Sequence, residues 1–288
     1  MLAWGAAYVP SAWLVETWPP LGAAGARLGV AGVVLLGALV VLRQPLLPRA
    51  GLATVVWLAL TQSVLFYGAT FWGIEHGGAG LAAVLANTDP LFVAALASVL
   101  LGELLTRRQW LGLVVGLVGA TVVVWHGPIW PPAVSGAALI VVGGAFAWSV
   151  GTVVATRGMR ADANPVALAA WQMVLGGAVL LTVGGVGEEW PPPVGAREVA
   201  LILGVAVVGG AIPFALFYMA LARGTAVQVS TWFFLIPVVG VLSAWALLGE
   251  QPTLQLVVGL AAVSVALWLV LAERAPREEL LVDSTPPL

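Results

Sequence analysis

Residues 90–112 read PLFVAALASVLLGELLTRRQWLG, and residues 237–259 read PVVGVLSAWALLGEQPTLQLVVG. At a spacing of 147 residues Pro90 meets Pro237, Leu100-Leu101-Gly102-Glu103 meets Leu247-Leu248-Gly249-Glu250, Thr106 meets Thr253 and Gly112 meets Gly259. Each copy is an apolar run opened by proline, closed by Gly-Glu and followed at once by another apolar run. The register continues upstream with small shifts: Pro20 matches Pro165 at 145, and Trp4 matches Trp148 at 144. Two tandem copies of one apolar unit is a common plan of secondary transporters, so the repeat bears on function as well as fold.

Composition agrees with a lipid environment. The 288 residues are 61% hydrophobic and 8% charged, whereas a soluble domain carries about 25% charged residues. The absence of Cys removes disulfides and thiolate chemistry, and two scattered histidines, His76 and His126, make no metal cluster. The sequence implies no cofactor and no metal. All eleven basic residues are Arg, without a basic patch for nucleic acid. No nucleotide-binding P-loop is present, which argues against direct ATP hydrolysis. The start lacks a charged n-region and a cleavage site, so it does not read as a signal peptide.

A membrane helix needs about 20 apolar residues. Ten such runs are predicted, near 1–16, 20–42, 51–73, 79–101, 108–126, 134–156, 165–186, 197–220, 226–248 and 254–272. With a cytoplasmic N-terminus and ten crossings, Arg43, Arg49, Arg107, Arg108, Arg157, Arg160, Arg223, Arg274 and Arg277 all fall inside and only Arg197 falls outside. Five runs per copy is odd, so the second copy enters the membrane inverted. The expected fold is therefore an all-α membrane protein of ten transmembrane helices in two inverted five-helix repeats, 1–130 and 134–272. Both termini are expected in the cytoplasm. Residues 273–288 are charged and Pro-containing, and read as a disordered cytoplasmic tail. Trp148 lies deep in its run while Trp4 is the fourth residue, so the first helix reads as short at its start.

These features resemble the EamA type of the drug/metabolite transporter superfamily, over residues 1 to about 272. The residues that carry the resemblance are Trp4-Gly5, Ala26-Arg27-Leu28 and the two Pro-to-Leu-Leu-Gly-Glu hairpins. The resemblance implies transport of amino acids, nucleosides, other metabolites or toxic compounds across the bacterial inner membrane, mostly outward. It also implies a central cavity lined by runs 1, 3, 4, 6, 8 and 9, with runs 5 and 10 peripheral. Some relatives flip lipid-linked sugars.

Charges within the hydrocarbon are costly unless paired or hydrated. Asp89, in Ala86-Asn87-Thr88-Asp89-Pro90, is about 20 Å along its helix from Gly102. It is the candidate for binding a proton or a cationic group, with partnership to Arg27 as its plainer role. Arg27 faces Gln172 across the repeat, so polarity is kept and charge is not; anchoring is its favoured role and carboxylate binding the sharper one. Pro90 and Pro237 each remove a helix hydrogen bond and are expected hinges, and Pro213 marks a third kink. Glu103 and Glu250 sit at hairpin turns on opposite faces and read as structural. Thr106 and Gln109 have the spacing of a capping box. Tyr8, Gln62, Tyr67, Asn87, Trp148, Tyr218, Gln228 and Trp232 complete the candidate cavity set, a mixture suited to a zwitterionic or flat organic solute.

The expected activity is export of a small metabolite by a secondary-active transporter using alternating access, with no catalytic residue. A lipid-linked sugar flippase is the alternative within transport. An intramembrane enzyme needs clustered acids, histidines or a nucleophile–base pair, and Asp89 stands alone. The expected partners are a small-molecule substrate and the lipid bilayer, with homodimerisation through the peripheral helices open and no nucleic acid.

Overall fold

The computed structural model describes residues 2–124, 135–159, 164–189, 192, 194–236, 238–239, 242–243 and 254–272. Pro237, Glu250 and the expected tail lie outside the described residues. Every regular element among the described residues is helical: α1 (Leu2–Ala6), α2 (Tyr8–Val15), α3 (Pro20–Val41), α4 (Leu52–Leu58), a first π turn (Ala59–Leu65), α5 (Phe66–Ala86), α6 (Asp89–Leu100) and α7 (Arg107–Val124). There follow α8 (Ser135–Met159), α9 (Pro165–Gly187), α10 (Ala196–Ala206), a second π turn (Val207–Ala211), α11 (Ile212–Leu221), α12 (Ala226–Thr231) with a 3₁₀ turn (Trp232–Phe234), and α13 (Leu254–Leu271).

Five stretches among the described residues are long and apolar enough to cross a membrane: Pro20–Val41, Leu52–His76, Gly136–Arg157, Pro165–Gly187 and Ala196–Leu221. They coincide with five of the ten predicted runs. The first run is instead broken at Ala7, where Pro10 cannot donate to the carbonyl of Ala6 four residues back. The fourth run is interrupted at Asn87–Thr88, with Pro90 in the first turn of α6, a position that needs no N–H donor.

The gap between the third and fourth predicted runs, which holds Glu75 and His76, is helical, since α5 continues to Ala86. That helix is not straight. A Cβ placed on Gly73 would lie 3.8 Å from the Cβ of Ala82, whereas nine residues of straight helix span about 13 Å. The chain therefore doubles back within α5, and helical hydrogen bonding survives the turn.

Two long packing seams are built on glycine. Along α3 and α9, a Cβ on Gly184 would lie 2.9 Å from Gly22 N, one on Gly25 2.7 Å from Leu181 N, one on Gly177 2.5 Å from Gly29 N, and one on Gly32 2.8 Å from Val174 N. Partners fall in number along α9 as they rise along α3, so the pair is antiparallel and in backbone contact, as small residues permit. The ends are tied as well. Glu188 accepts hydrogen bonds from Leu21 N (2.9 Å) and Gly22 N (3.0 Å), satisfying orphan donors at the start of α3. At the other end the Asn164 amide caps α9 through Ala167 N and donates to the carbonyl of Pro45. The second seam joins α7 to α13: Gly112 faces Val270 and Ala266, and Gly119 faces Ala262 and Gly259, again antiparallel.

Glu103 reaches across to α12, accepting from Ala226 N (3.2 Å) and Val227 N (3.3 Å). A carboxylate at a helix N-terminus fills unpaired donors and complements the dipole. Thr106 and Gln109 form a reciprocal capping box at α7. Trp18, just before α3, is buried in the main core.

Candidate functional site

A chamber of about 40 Å³ lies among α1, α2, α3, α5, α6, α8 and the 3₁₀ turn. That is room for two or three waters. Its walls are largely aromatic. Trp4 packs edge-on against Trp148 (6.0 Å between centroids), Phe214 (5.5 Å) and Phe233 (5.3 Å), and Phe66 lies 4.7 Å from Trp148. Edge-to-face contacts of this kind add to the burial of the rings and fix their orientation.

Of the sequence-predicted set, Tyr8, Tyr67, Asn87, Asp89 and Trp148 all line this chamber, and Arg27 joins them. Tyr8 is within hydrogen-bonding reach of the Asn87 side chain. Asp89 is 1% exposed, and neither carboxylate oxygen has a hydrogen-bond partner among the described residues. Its backbone carbonyl accepts from the Ser149 hydroxyl at 3.1 Å, which fixes the start of α6 against α8.

Arg27 is 5% exposed. Its Nη2 donates to the carbonyl of Gly209 at 2.5 Å, its guanidinium lies 4.7 Å from the Tyr67 ring centroid, and its Nε has no partner among the described residues. Gly209 is available as an acceptor because Pro213, four residues on, has no N–H to return to it. Arg27 is thus tied to the second π turn while facing the chamber. No ion pair joins it to Asp89 among the described residues. The expected partnership of these two charges is therefore not made here; one acid and one base instead address the same small space separately.

The remaining predicted residues lie elsewhere. Tyr218 donates to Gln62 Oε1 at 2.5 Å, and Gln62 Nε2 donates to the Thr152 hydroxyl at 3.2 Å. This buried chain joins α11, the first π turn and α8, and none of its members lines the chamber. Gln228 is engaged in a capping box with Thr225. Together with the exposed Trp232 it lines a separate open groove beside α1 and α11.

Sequence reasoning missed Trp4, Ser11, Thr70, Phe71 and Phe233 as chamber residues. Trp4 had a usable signal, since its repeat counterpart Trp148 was in the predicted set and the two rings meet. The others carry no mark beyond their helix. Among the described residues, ten buried side-chain nitrogen and oxygen atoms lack a hydrogen-bond partner, and seven belong to chamber residues: Trp4, Ser11, Arg27, Thr70, Trp148 and both oxygens of Asp89. Buried polar atoms are normally paired, so such a concentration calls for a functional account. No cluster of three or more metal-binding side chains occurs among the described residues.

The EamA-like transporter family model matches residues 1–125 and 135–272. The chain is 28% identical over 284 residues to the uncharacterized transporter sll0355 of Synechocystis, covering 93% of this chain and 86% of that one. It is 27% identical over 278 residues to the uncharacterized transporter YvbV of Bacillus subtilis, covering 94% and 88%. Against the uncharacterized inner membrane transporter YedA of Escherichia coli it is 31% identical over 161 residues, covering 54% and 50%. A solved crystal structure superposes with a TM-score of 0.78 at 20% identity, covering 94% of this chain and 96% of the other, which shows a shared fold. With its membrane-length apolar helices, the chain is a multi-pass membrane protein and belongs to the EamA-like transporter family.

Proposed function

We propose that this chain is a secondary transporter of the bacterial inner membrane that exports a small organic solute bearing both a cationic and an anionic group. The observation that carries the reading is the concentration of unpartnered polar atoms on one aromatic-walled chamber, with the Asp89 carboxylate and Arg27 Nε among them. A solute ammonium would satisfy Asp89, a solute carboxylate would add to the donors of Arg27, and the rings would take up the carbon frame. Asp89 is also the residue that a proton would occupy in the absence of solute.

Alternating access between two inverted five-helix halves, with ten spans in all and both termini in the cytoplasm, is the mechanism this reading takes. Two facts support it. The repeat-related helices α3 and α9 meet in an antiparallel seam, and so do the repeat-related α7 and α13. A two-fold axis in the membrane plane relates counterpart helices in that way. Pro90 and Pro237 would then act as paired hinges, and the Arg distribution sets the orientation. The relatives' names place them as transporters, which fits a role without catalysis.

Counterflow in proteoliposomes, using a panel of amino acids, nucleosides and cationic drugs with and without a pH gradient, tests the reading. Exchange of zwitterionic solutes in preference to the purely cationic ones is the expected result. Absence of exchange for every solute, under conditions where a related transporter works, overturns it. A lipid-linked sugar flippase is the second reading, and the apolar groove lined by Ile212, Leu216 and Trp232 is the feature that favours it.

A further inference from the structure

The two π turns occupy corresponding places in the sequence repeat. Helical geometry resumes at Phe66 after the first and at Ile212 after the second, a spacing of 146 residues. Each is gripped by a polar residue from the other copy. Arg27 on α3 donates to Gly209 in the second π turn at 2.5 Å, while Gln172 on α9 accepts from Ser63 in the first π turn at 2.6 Å. Arg27 and Gln172 are each seven residues beyond the proline that starts their helix, and their partners are again 146 residues apart. One turn further along the gripping helices the close approach recurs on both sides, one residue apart in repeat register. A Cβ on Gly176 would lie 2.1 Å from Ser63 Cβ, and one on Gly210 would lie 2.9 Å from Ala31 Cβ, with Ala31 and Gly176 themselves repeat counterparts.

We propose that Arg27 and Gln172 are a repeat-related pair of positioning residues, each latching the π turn of the opposite copy, and that transport requires these latches to release. The proposal rests on the transporter reading, though not on any particular solute. A π turn holds one residue more per turn than the α-helix on either side, so converting it to α advances the helix beyond by a residue and rotates it. The first turn leads into Phe66, Tyr67 and Phe71, which line the chamber, and the second into Phe214, which packs behind the wall residues Trp4 and Trp148, so such a shift moves one wall directly and the support of another. The latches hold the wide turns open. They also differ: Arg27 faces the chamber, where an arriving anionic group competes for its N–H donors, whereas Gln172 and Ser63 are fully buried away from it. The first latch is therefore the one a solute can loosen, and the second follows through the shared seam of α3 and α9.

The chain has no Cys, so a single engineered cysteine reports without background. Ser11→Cys places the probe on the chamber wall, and its rate of modification by a membrane-impermeant maleimide reads chamber opening with no solute present. Ser63→Ala removes both contacts of the Ser63 hydroxyl with Gln172, to Oε1 at 2.6 Å and to the backbone carbonyl at 3.3 Å, and Gln172→Leu removes the shorter of the two. Each should raise that rate about fivefold, the equivalent of one net hydrogen bond. Combining them should add little to Ser63→Ala alone, because that variant already removes the contact Gln172→Leu deletes. Rates within twofold of the parent, or effects that multiply in the double variant, overturn the proposal. Hydrogen exchange of the unaltered chain is the second measurement. Amides of 59–65 and 207–211 should exchange at least about tenfold faster than those at the centre of α9, and equal protection overturns the proposal as well. A failure of all counterflow alongside a positive labelling result would remove the transporter reading and leave the latches in place.

Discussion

Gly29 and Gly177 face one another across the α3–α9 seam, and replacing each by alanine should have opposite effects. A Cβ on Gly177 would lie 2.5 Å from Gly29 N, 2.8 Å from Gly29 Cα and 2.9 Å from Gly25 O. All three are backbone atoms, so no side chain can rotate away, and ordinary contact requires the helices to part by roughly 1 Å over the middle of the seam. Overpacking costs about 1–3 kcal/mol, and the upper end applies where only backbone can yield; the better helix propensity of alanine offsets about 1 kcal/mol, leaving a net loss of about 2 kcal/mol. A Cβ on Gly29 meets nothing within 4 Å, so Gly29→Ala keeps the propensity gain alone. At about 2–4 °C per kcal/mol for a chain of this size, Gly177→Ala should lower the thermal midpoint in detergent by several degrees, and Gly29→Ala should raise it by a few. Scanning fluorimetry on matched preparations makes the comparison. A Gly177→Ala midpoint equal to or above that of the parent would refute the reasoning that this seam is in backbone contact.

Three further outcomes follow from the site and its supports. Asp89→Asn should abolish the pH-gradient-driven part of transport while preserving solute exchange, and an unchanged response to the gradient in reconstituted vesicles would remove Asp89 as the proton site. Tyr218→Phe strands the Oε1 acceptor of Gln62, which is fully buried, and should destabilise the fold by about 1–2 kcal/mol, read as a lower thermal midpoint. Glu103→Ala uncaps α12 at Ala226 and Val227 and should cost about 1 kcal/mol; hydrogen exchange of those two amides should accelerate, while chamber labelling stays as in the parent.

Apolar run length marked the long helices plainly, because a bilayer demands length and hydrophobicity at once and α3 and α9 meet both demands along their whole course. Proline accounts for the start of α6 and the break between α1 and α2 through a missing N–H in each case, yet run length alone joined 1–16 and 79–101 into unbroken spans, because hydrophobicity carries no mark of where the hydrogen-bond ladder stops. The first π turn left no such trace. Nothing in Ala59–Leu65 differs from ordinary helix-forming sequence, and its geometry is set by contacts with Gln172 and Gly176 far along the chain. Gln228 lines a separate groove rather than the chamber, and its spacing from Thr225 three residues before it is the signal of the capping box it also makes. Arg27 was legible as a buried charge, but its neighbours were not: Gly209 and Tyr67 become its partners only once α3, α5 and the second π turn are folded together.

Trp4 also constrains the order in which the protein is built. Its indole is synthesised before the rings that enclose it, since Trp148, Phe214, Phe217 and Phe233 all come from the second repeat. Until those residues have been synthesised and inserted, α1 has no aromatic socket and must wait in lipid or against the insertion machinery. The chamber wall is therefore among the last parts of the molecule to close. Slow insertion of α11 would leave α1, made long before it, as the segment exposed to quality-control proteases.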